Sequence, residues 1–276
     1  MTWRKVSRPK RLQRRAANTM PLPVFSTTWY NVLLLAYHVL TTVPNFIGQS
    51  KAEEGPVVWS KFAIGKSFTH PCTARTGMLC KYIPSLVLLA LRTFYGYAPE
   101  LTTWLVALHF MKRVLEVLFL HSFSGSPTED LRSSAIIGLF YAIQSWAYVK
   151  DGANASGALL TFGLACFCAG VLGNLWHHAI LASLRRPGYD AKLVSSGKYK
   201  VPEGGLFGLA TCPHYLCECT GFWGIALVSG GLIPLSQATH LTAFMAGQSV
   251  ATTRWYVQKF GDKWPKERKH MVPFVF

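Results

Sequence analysis

Apolar residues fall along this chain in blocks, and several blocks approach the roughly 20 residues that cross a bilayer as a helix. Seven can be marked: Trp29–Phe46, Met78–Tyr97, Leu101–His121, Ser133–Val149, Ala155–Leu184, Tyr215–Leu235 and Gln237–Trp255. Pro44 weakens the first, and the fifth is long enough to project from a bilayer by several turns. The pattern predicts an all-α, polytopic membrane bundle of about seven transmembrane helices, residues 29–276, behind a basic N-terminal tail, residues 1–28. Residues 47–77 form a polar connector. A second polar loop, Arg185–Gly205, runs into V-P-E-G-G-L-F, where Pro and Gly-Gly mark tight turns.

Ionisable side chains recur inside these blocks at helical spacing. A charge at membrane depth costs several kcal/mol unless it is paired or faces a cavity, so each cluster is a candidate site. His109, Arg113, Glu116 and Leu120 lie at i, i+4, i+7 and i+11 on one stripe, with Lys112 beside it and His121 at its end. The stripe is either an internal Arg113–Glu116 ion pair or the polar wall of a ligand cavity. Asn174, His178, Leu181 and Arg185 repeat that spacing, with His177 adjacent. Neighbouring histidines on a helix point about 100° apart, which is wrong for joint ligation, and no metal is expected. The third cluster is T-C-P-H-Y-L-C-E, residues 211–218. Pro213 suits a first helical turn, which sets His214 and Glu218 at i, i+4 beside Tyr215. That helix start is either a phosphate-attracting terminus or an interfacial Tyr/His belt.

Composition narrows the class. The chain is 50% hydrophobic and 14% charged, with 28 Lys and Arg against 12 Asp and Glu and a net charge of +16. The cations lie in loops and tails between apolar blocks, which points to positive cytosolic loops and not to nucleic acid. The rule places the Arg185–Gly205 loop and the C-terminus in the cytosol. Seven crossings would then put the basic tail on the far side, against the same rule. Either the first segment does not cross, or the tail is removed, or the late charges dominate. The 7 cysteines include no C-x-x-C pair, so neither a disulfide nor a zinc site is expected. No G-x-G-x-x-G and no Walker sequence occurs, so any nucleotide binds in a non-Rossmann way.

The last residues, Arg254–Phe276, join R-W-Y to a Lys/Arg run and an apolar P-F-V-F. That pattern suits a segment that docks back on the bundle, offers cations to an anionic ligand and seats Pro273–Phe276 among the helices. Together the clusters suit a polyanion entering from the cytosol and an apolar partner arriving from the lipid.

R-R-P-G, Y-K-V-P-E-G-G-L-F, C-P-H-Y-L-C-E, W-Y-V-Q-K-F and P-K-E-R-K-H-M-V-P-F-V-F, with H-F-M-K-R-V-L-E upstream, resemble the steroid 5α-reductase family. The trans-2-enoyl-CoA and polyprenol reductases belong to the same family. The resemblance is dense over residues 173–276, looks closest to plant-type members and hardly reaches residues 1–77. It implies an endoplasmic-reticulum enzyme with NADPH that reduces a C=C bond conjugated to a carbonyl in a lipid, a 3-oxo-4-ene steroid or a trans-2-enoyl-CoA. Elongase or sterol-pathway enzymes are the partners it implies. Carried over by motif, Asn174, Arg185, Lys200, His214, Glu218, Tyr256 and Arg268 match cofactor positions. Lys200 stands for an Arg, and His214 for an Asn.

The chain departs from the family where steroid reductases hold the ketone. Phe110 replaces the motif tyrosine, Tyr82 stands where a Glu is expected, His178 replaces an Asp and Thr252 a His. The candidate catalytic residues are therefore Tyr215, Tyr82, Lys112 and Glu116, with either tyrosine as proton donor. A neutral phenol can serve, because its pKa near 10 keeps it protonated. The altered acid pair also leaves open a non-catalytic sterol- or cofactor-binding relative.

Overall fold

The apolar blocks become seven helices among the described residues: α1 (Trp29–Ser50), α2 (Ala74–Phe94), α3 (Leu101–Leu115), α4 (Leu131–Lys150), α5 (Gly157–Ser183), α6 (Pro213–Ser229) and α7 (Leu232–Phe260). The computed structural model describes residues 28–52, 67–96, 100–123, 127–150, 155–184 and 200–276. The basic tail before residue 28, and Arg185, lie outside them.

Helix ends follow local chemistry. Pro44 does not end α1, because side-chain bonds to α7 hold the helix on both sides of it. α2 starts earlier than its apolar block, where the Thr73 hydroxyl accepts the Thr76 amide at 3.2 Å. α3 passes at Glu116 into a π-helical turn, Glu116–Leu120, a distortion common at functional positions. α6 begins on Pro213 and stops where Gly230 takes φ 66°, so Leu232–Leu235 pass to α7.

A two-stranded antiparallel ribbon, absent from the helical pattern, joins β1 (Pro71–Thr73) to β2 (Pro127–Asp130). Alternation over three or four residues is too short to register as a strand. The ribbon is tied to α2 by a buried Lys81–Glu129 ion pair at 2.8 Å. Asp130 caps α4, accepting the Ser133 amide at 2.9 Å and the His70 amide at 3.0 Å. Those amides, Ser133 first, hold its carboxyl below the ordinary value. The cap is therefore intact above the ordinary carboxylate range and is lost only as pH falls through the lowered value. We expect Asp130→Asn to lower the unfolding temperature at pH 7 and the gap to narrow as pH falls below the ordinary carboxylate range, where the carboxyl protonates. A gap that persisted undiminished there would show that the charge is not what stabilises the cap.

Helix pairing is set by small residues and by polar stitches. α5 and α6 run antiparallel, with Gly163 against Val228, Gly170 against Gly221 and Gly173 against Cys217. A Cβ on Gly170 would enter the α6 backbone, so glycine is needed for this approach. α2 and α4 run parallel, Gly77 facing Ser134 and Gly138 facing Cys80. α1 and α7 also run parallel: His38 meets Ser236, Asn45 meets His240, and Gln49 meets Gln248. The helices thus alternate up and down. The end that carries Ser50, His121, Ser183 and Pro213 also carries the C-terminal segment.

A directed chain of hydrogen bonds links α7, α4 and α1. Gln237 donates to Gln144 Oε1 at 2.9 Å, and Gln144 donates to His38 Nε2 at 2.8 Å. His38 Nδ1 then donates to Ser236 at 2.9 Å, and Ser236 to the Ile233 carbonyl at 2.8 Å. His38→Leu strands both neighbours in a buried setting and is expected to cost about 1–2 kcal/mol. Denaturant unfolding in detergent measures it; no change would sever the chain from stability.

Among the described residues three helices, α1, α2 and α5, are long and apolar enough to cross a membrane. Of the other expected spans, α3 and α6 are short, at 15 and 17 residues, and α7 carries buried polar side chains along its length, Gln237, His240 and Gln248. The apolar core between them gathers Leu89, Val106, Phe110, Tyr148, Phe167 and Phe222.

Candidate functional site

The stripe on α3 meets α2, α5 and α6 in a buried polar centre. Glu116, 2% exposed, takes Arg113 Nη1 at 2.6 Å on one oxygen and Lys112 Nζ at 2.9 Å on the other. Arg113 Nη2 donates to the Tyr82 hydroxyl at 2.8 Å, and its guanidinium lies 5.0 Å over the Tyr82 ring. His178 Nδ1 is 2.9 Å from Arg113 Nη1 and 3.1 Å from Glu116 Oε2. One ring nitrogen cannot accept from the guanidinium and donate to the carboxylate at once, so its proton selects the partner. The ion-pair reading of the stripe thus holds, and the pair also walls a polar centre.

Asn174, 1% exposed, connects α3 to α6. Its Oδ1 accepts Lys112, while its Nδ2 donates to the His214 carbonyl at 2.8 Å and lies 3.4 Å from Glu218. The His214 ring sits 5.5 Å from His178 and 4.3 Å from Tyr215. Tyr215 faces the other way, packing with Leu241, Phe244 and Met245 of α7. Tyr82 and Tyr215 therefore belong to different surroundings: only Tyr82 carries a guanidinium on its oxygen.

Glu116, His121 and His178 present potential ligand atoms within 4.8 Å of one another. A dication there would stand against Arg113, already 2.6 Å from the same carboxylate, and against Lys112. Two buried cations at that range repel it strongly, and the cluster is an ion-pair centre.

The C-terminal segment forms a second set. Tyr256 stacks on Trp264 at 4.8 Å, and the Arg268 guanidinium caps Trp264 at 5.2 Å. Residues 209–212 pair with the segment: Lys269 donates to the Leu209 carbonyl, and Thr211 to the Lys269 carbonyl at 2.8 Å. A cavity of about 550 Å³ opens against it, lined in part by Trp264, Lys266, Arg268, Lys269 and His270. Burial, then Lys269 and Arg254, hold His270 below its ordinary value, so the cavity's positive charge comes from Lys and Arg. The apolar end docks only in part. Met271 is buried and Phe276 packs with it, whereas Phe274 and Val275 are 79% and 77% exposed. Phe274 carries φ 65°, which turns it outward, so the expected re-entry of Pro273–Phe276 falls to Phe276.

The structure brings Tyr82, Lys112, Glu116, Asn174, His214 and Glu218 together, and separately Tyr256 with Arg268. Lys200 is exposed at the start of the segment leading to Pro202. Arg113 and Trp264 carry more of the geometry than the motif reading assigned to them. Arg113 was legible as part of the stripe; Trp264 had only its place between Tyr256 and Arg268.

The residues fit a large anionic ligand with a planar ring. The cavity is cationic and aromatic, and Arg268 Nε and Arg113 Nε are buried with no hydrogen-bond partner among the described residues. Ligand pockets commonly fall in the size range of this cavity.

The family model described as 3-oxo-5-alpha-steroid 4-dehydrogenase matches residues 134–276, more than half of the chain. The chain is 32% identical over 136 residues to a steroid 5-alpha-reductase DET2 of Solanum lycopersicum, covering 49% of this chain and 46% of that protein. It is 36% identical over 135 residues to 3-oxo-5-alpha-steroid 4-dehydrogenase 1 of Macaca fascicularis, covering 49% and 48%. A very-long-chain enoyl-CoA reductase of Dictyostelium discoideum is 29% identical over 184 residues, covering 65% and 59%. The chain spans about half the length of the first two relatives.

Proposed function

The chain belongs to the 3-oxo-5-alpha-steroid 4-dehydrogenase family, and from that premise we propose that it is a membrane-embedded, NADPH-dependent reductase of a C=C bond conjugated to a carbonyl in a lipid. The substrate is a 3-oxo-4-ene steroid or a trans-2-enoyl thioester, a reading that relatives named for steroid and for enoyl-CoA reduction support. The observation that carries the reading is Arg113 donating to the Tyr82 hydroxyl at 2.8 Å inside a buried polar centre.

NADPH, when bound, supplies the hydride. Trp264, Tyr256 and Arg268 would hold its anionic, aromatic end, and Asn174 with Lys112 would face the polar centre. Tyr82 acts on the substrate carbonyl. Arg113 occupies a lone pair of the phenol oxygen, which leaves the O–H free to point at the carbonyl. The cation also favours proton transfer as negative charge gathers on the carbonyl oxygen, and Glu116 keeps Arg113 in place. Phe110 lacks the family's hydroxyl, yet its ring lies 6.4 Å from Tyr82, so a phenol remains in the same aromatic group. Tyr215 is the weaker candidate because it packs towards α7, away from the Arg113 guanidinium that supports Tyr82.

All seven helices cross the membrane in this reading, which the up-and-down alternation of α1 to α7 supports. The protein is a multi-pass protein of the endoplasmic-reticulum membrane, with the basic C-terminal segment cytosolic and the lipid substrate arriving from the bilayer.

Purified protein is expected to bind NADPH and to oxidise it with one of the two substrates. Arg268→Ala should weaken NADPH binding by roughly 10-fold or more, the loss of a charge-assisted contact. Unchanged affinity would remove Arg268 from the cofactor site. NADPH binding with turnover of neither substrate would favour a non-catalytic relative.

A further inference from the structure

The segment Pro202–Phe207 is pinned at three points. Arg268 Nη1 donates to the Pro202 carbonyl at 2.8 Å. The Leu206 amide donates to His177 Nε2 at 3.1 Å. Phe207, 1% exposed, presents its ring to His177 at 5.4 Å and to His214 at 6.0 Å. Gly204 and Gly205 take φ 89° and 53°, which lets the chain turn back between these anchors. The segment therefore runs from the C-terminal set to the polar centre.

The protonation of His177 follows from its partners. Nδ1 lies 2.6 Å from the Gly173 carbonyl, which can only accept, so Nδ1 carries the hydrogen. Nε2 then holds a lone pair, and the Leu206 amide fills it. The ring is fully buried and no part of it reaches Tyr82, Arg113 or Glu116 in the contacts seen. It stands three residues after Asn174 on α5, whose side chain holds Lys112 and the His214 carbonyl. A Cβ on Gly205 would come within 3.0 Å of Nε2, so even this turn's bareness is matched to the imidazole.

We propose that His177 is a positioning residue that clasps the Pro202–Phe207 turn onto α5, so that Arg268 and Asn174 are held in one geometry for the cofactor. The proposal rests on the reductase reading above. Without the clasp the turn samples open positions, and the binding-competent arrangement becomes a fraction of the population, which lowers apparent affinity by that fraction.

The test compares full-length protein with His177→Phe, His177→Gln and Gly205→Ala. Hydrogen exchange over residues 203–208, without nucleotide, reads the clasp itself. NADPH affinity reads its consequence. In His177→Phe the Leu206 amide should exchange about fivefold faster and NADPH should bind about five- to tenfold more weakly, as expected when a buried donor loses its acceptor. Gly205→Ala, whose Cβ would crowd Nε2, should do the same with the imidazole itself retained. His177→Gln, which keeps an acceptor, should recover part of both.

Unchanged exchange in His177→Phe and Gly205→Ala would overturn the clasp. Faster exchange with unaltered NADPH affinity would overturn its link to the cofactor. Failure of the wild-type protein to bind NADPH would overturn the reductase reading and that link with it, while the exchange result judges the clasp separately.

Discussion

Tyr82→Phe is expected to lower turnover by about 10²–10⁴-fold, the range for losing a positioned proton donor, with NADPH affinity unchanged. The phenol oxygen takes a bond from Arg113 and its ring stacks against Tyr141 at 6.3 Å, so removing the hydroxyl keeps the packing. The loss should appear in kcat and kcat/KM together, as for an interaction made in the transition state. Tyr215→Phe is the comparison: the ring packs towards α7, away from Arg113, and turnover should stay within a few-fold of wild type. If Tyr215→Phe abolished turnover and Tyr82→Phe did not, the two roles would be reversed. The assay needs whichever substrate the wild-type protein turns over.

The second large effect concerns stability. Glu116→Gln keeps the shape of the side chain but leaves Lys112 and Arg113 buried without their shared carboxylate. Breaking a buried pair from one side costs about 3–5 kcal/mol, because an uncompensated charge remains. A marginally stable membrane protein should then unfold well below the wild-type midpoint, or fail to accumulate. Adding Lys112→Met to Glu116→Gln should recover part of the loss, since the two sites are in direct contact and not additive. A cost below about 1 kcal/mol would mean that water reaches this centre and screens it.

Much of this protein was legible without its structure. The seven apolar blocks became seven helices because block length and composition are local properties. Pro213 started α6 as its fixed φ and missing amide predict. The stripe His109–Arg113–Glu116 was readable because helical periodicity alone sets those side chains on one face. Other features needed contacts. The ribbon of β1 and β2 pairs residues far apart in the chain, Pro71 with Asp130 and Thr73 with Pro127, and neither strand is long enough to show a period. The partnering of His38 with Ser236 and Gln144 joins three helices, so no window along the chain contains it.

The candidate site divides the same way. Residue types and helical spacing marked Lys112, Glu116, Asn174 and Glu218, because buried charge is costly enough to mark itself in a sequence; Tyr82, Tyr256 and Arg268 were singled out by the family resemblance. Neither spacing nor the resemblance decided between Tyr82 and Tyr215 as proton donor. Tertiary structure gives them different surroundings: the crossing of α2 over α3 sets Arg113 on the Tyr82 oxygen, while Tyr215 packs towards α7. It also decided that Trp264 stacks between Tyr256 and Arg268, and that His177, two helices away in sequence from the C-terminal segment, holds the turn that reaches it. Periodicity acts within one helix and is written in its own residues; the orientation of a phenol or a guanidinium depends on what the neighbouring helices bring to it.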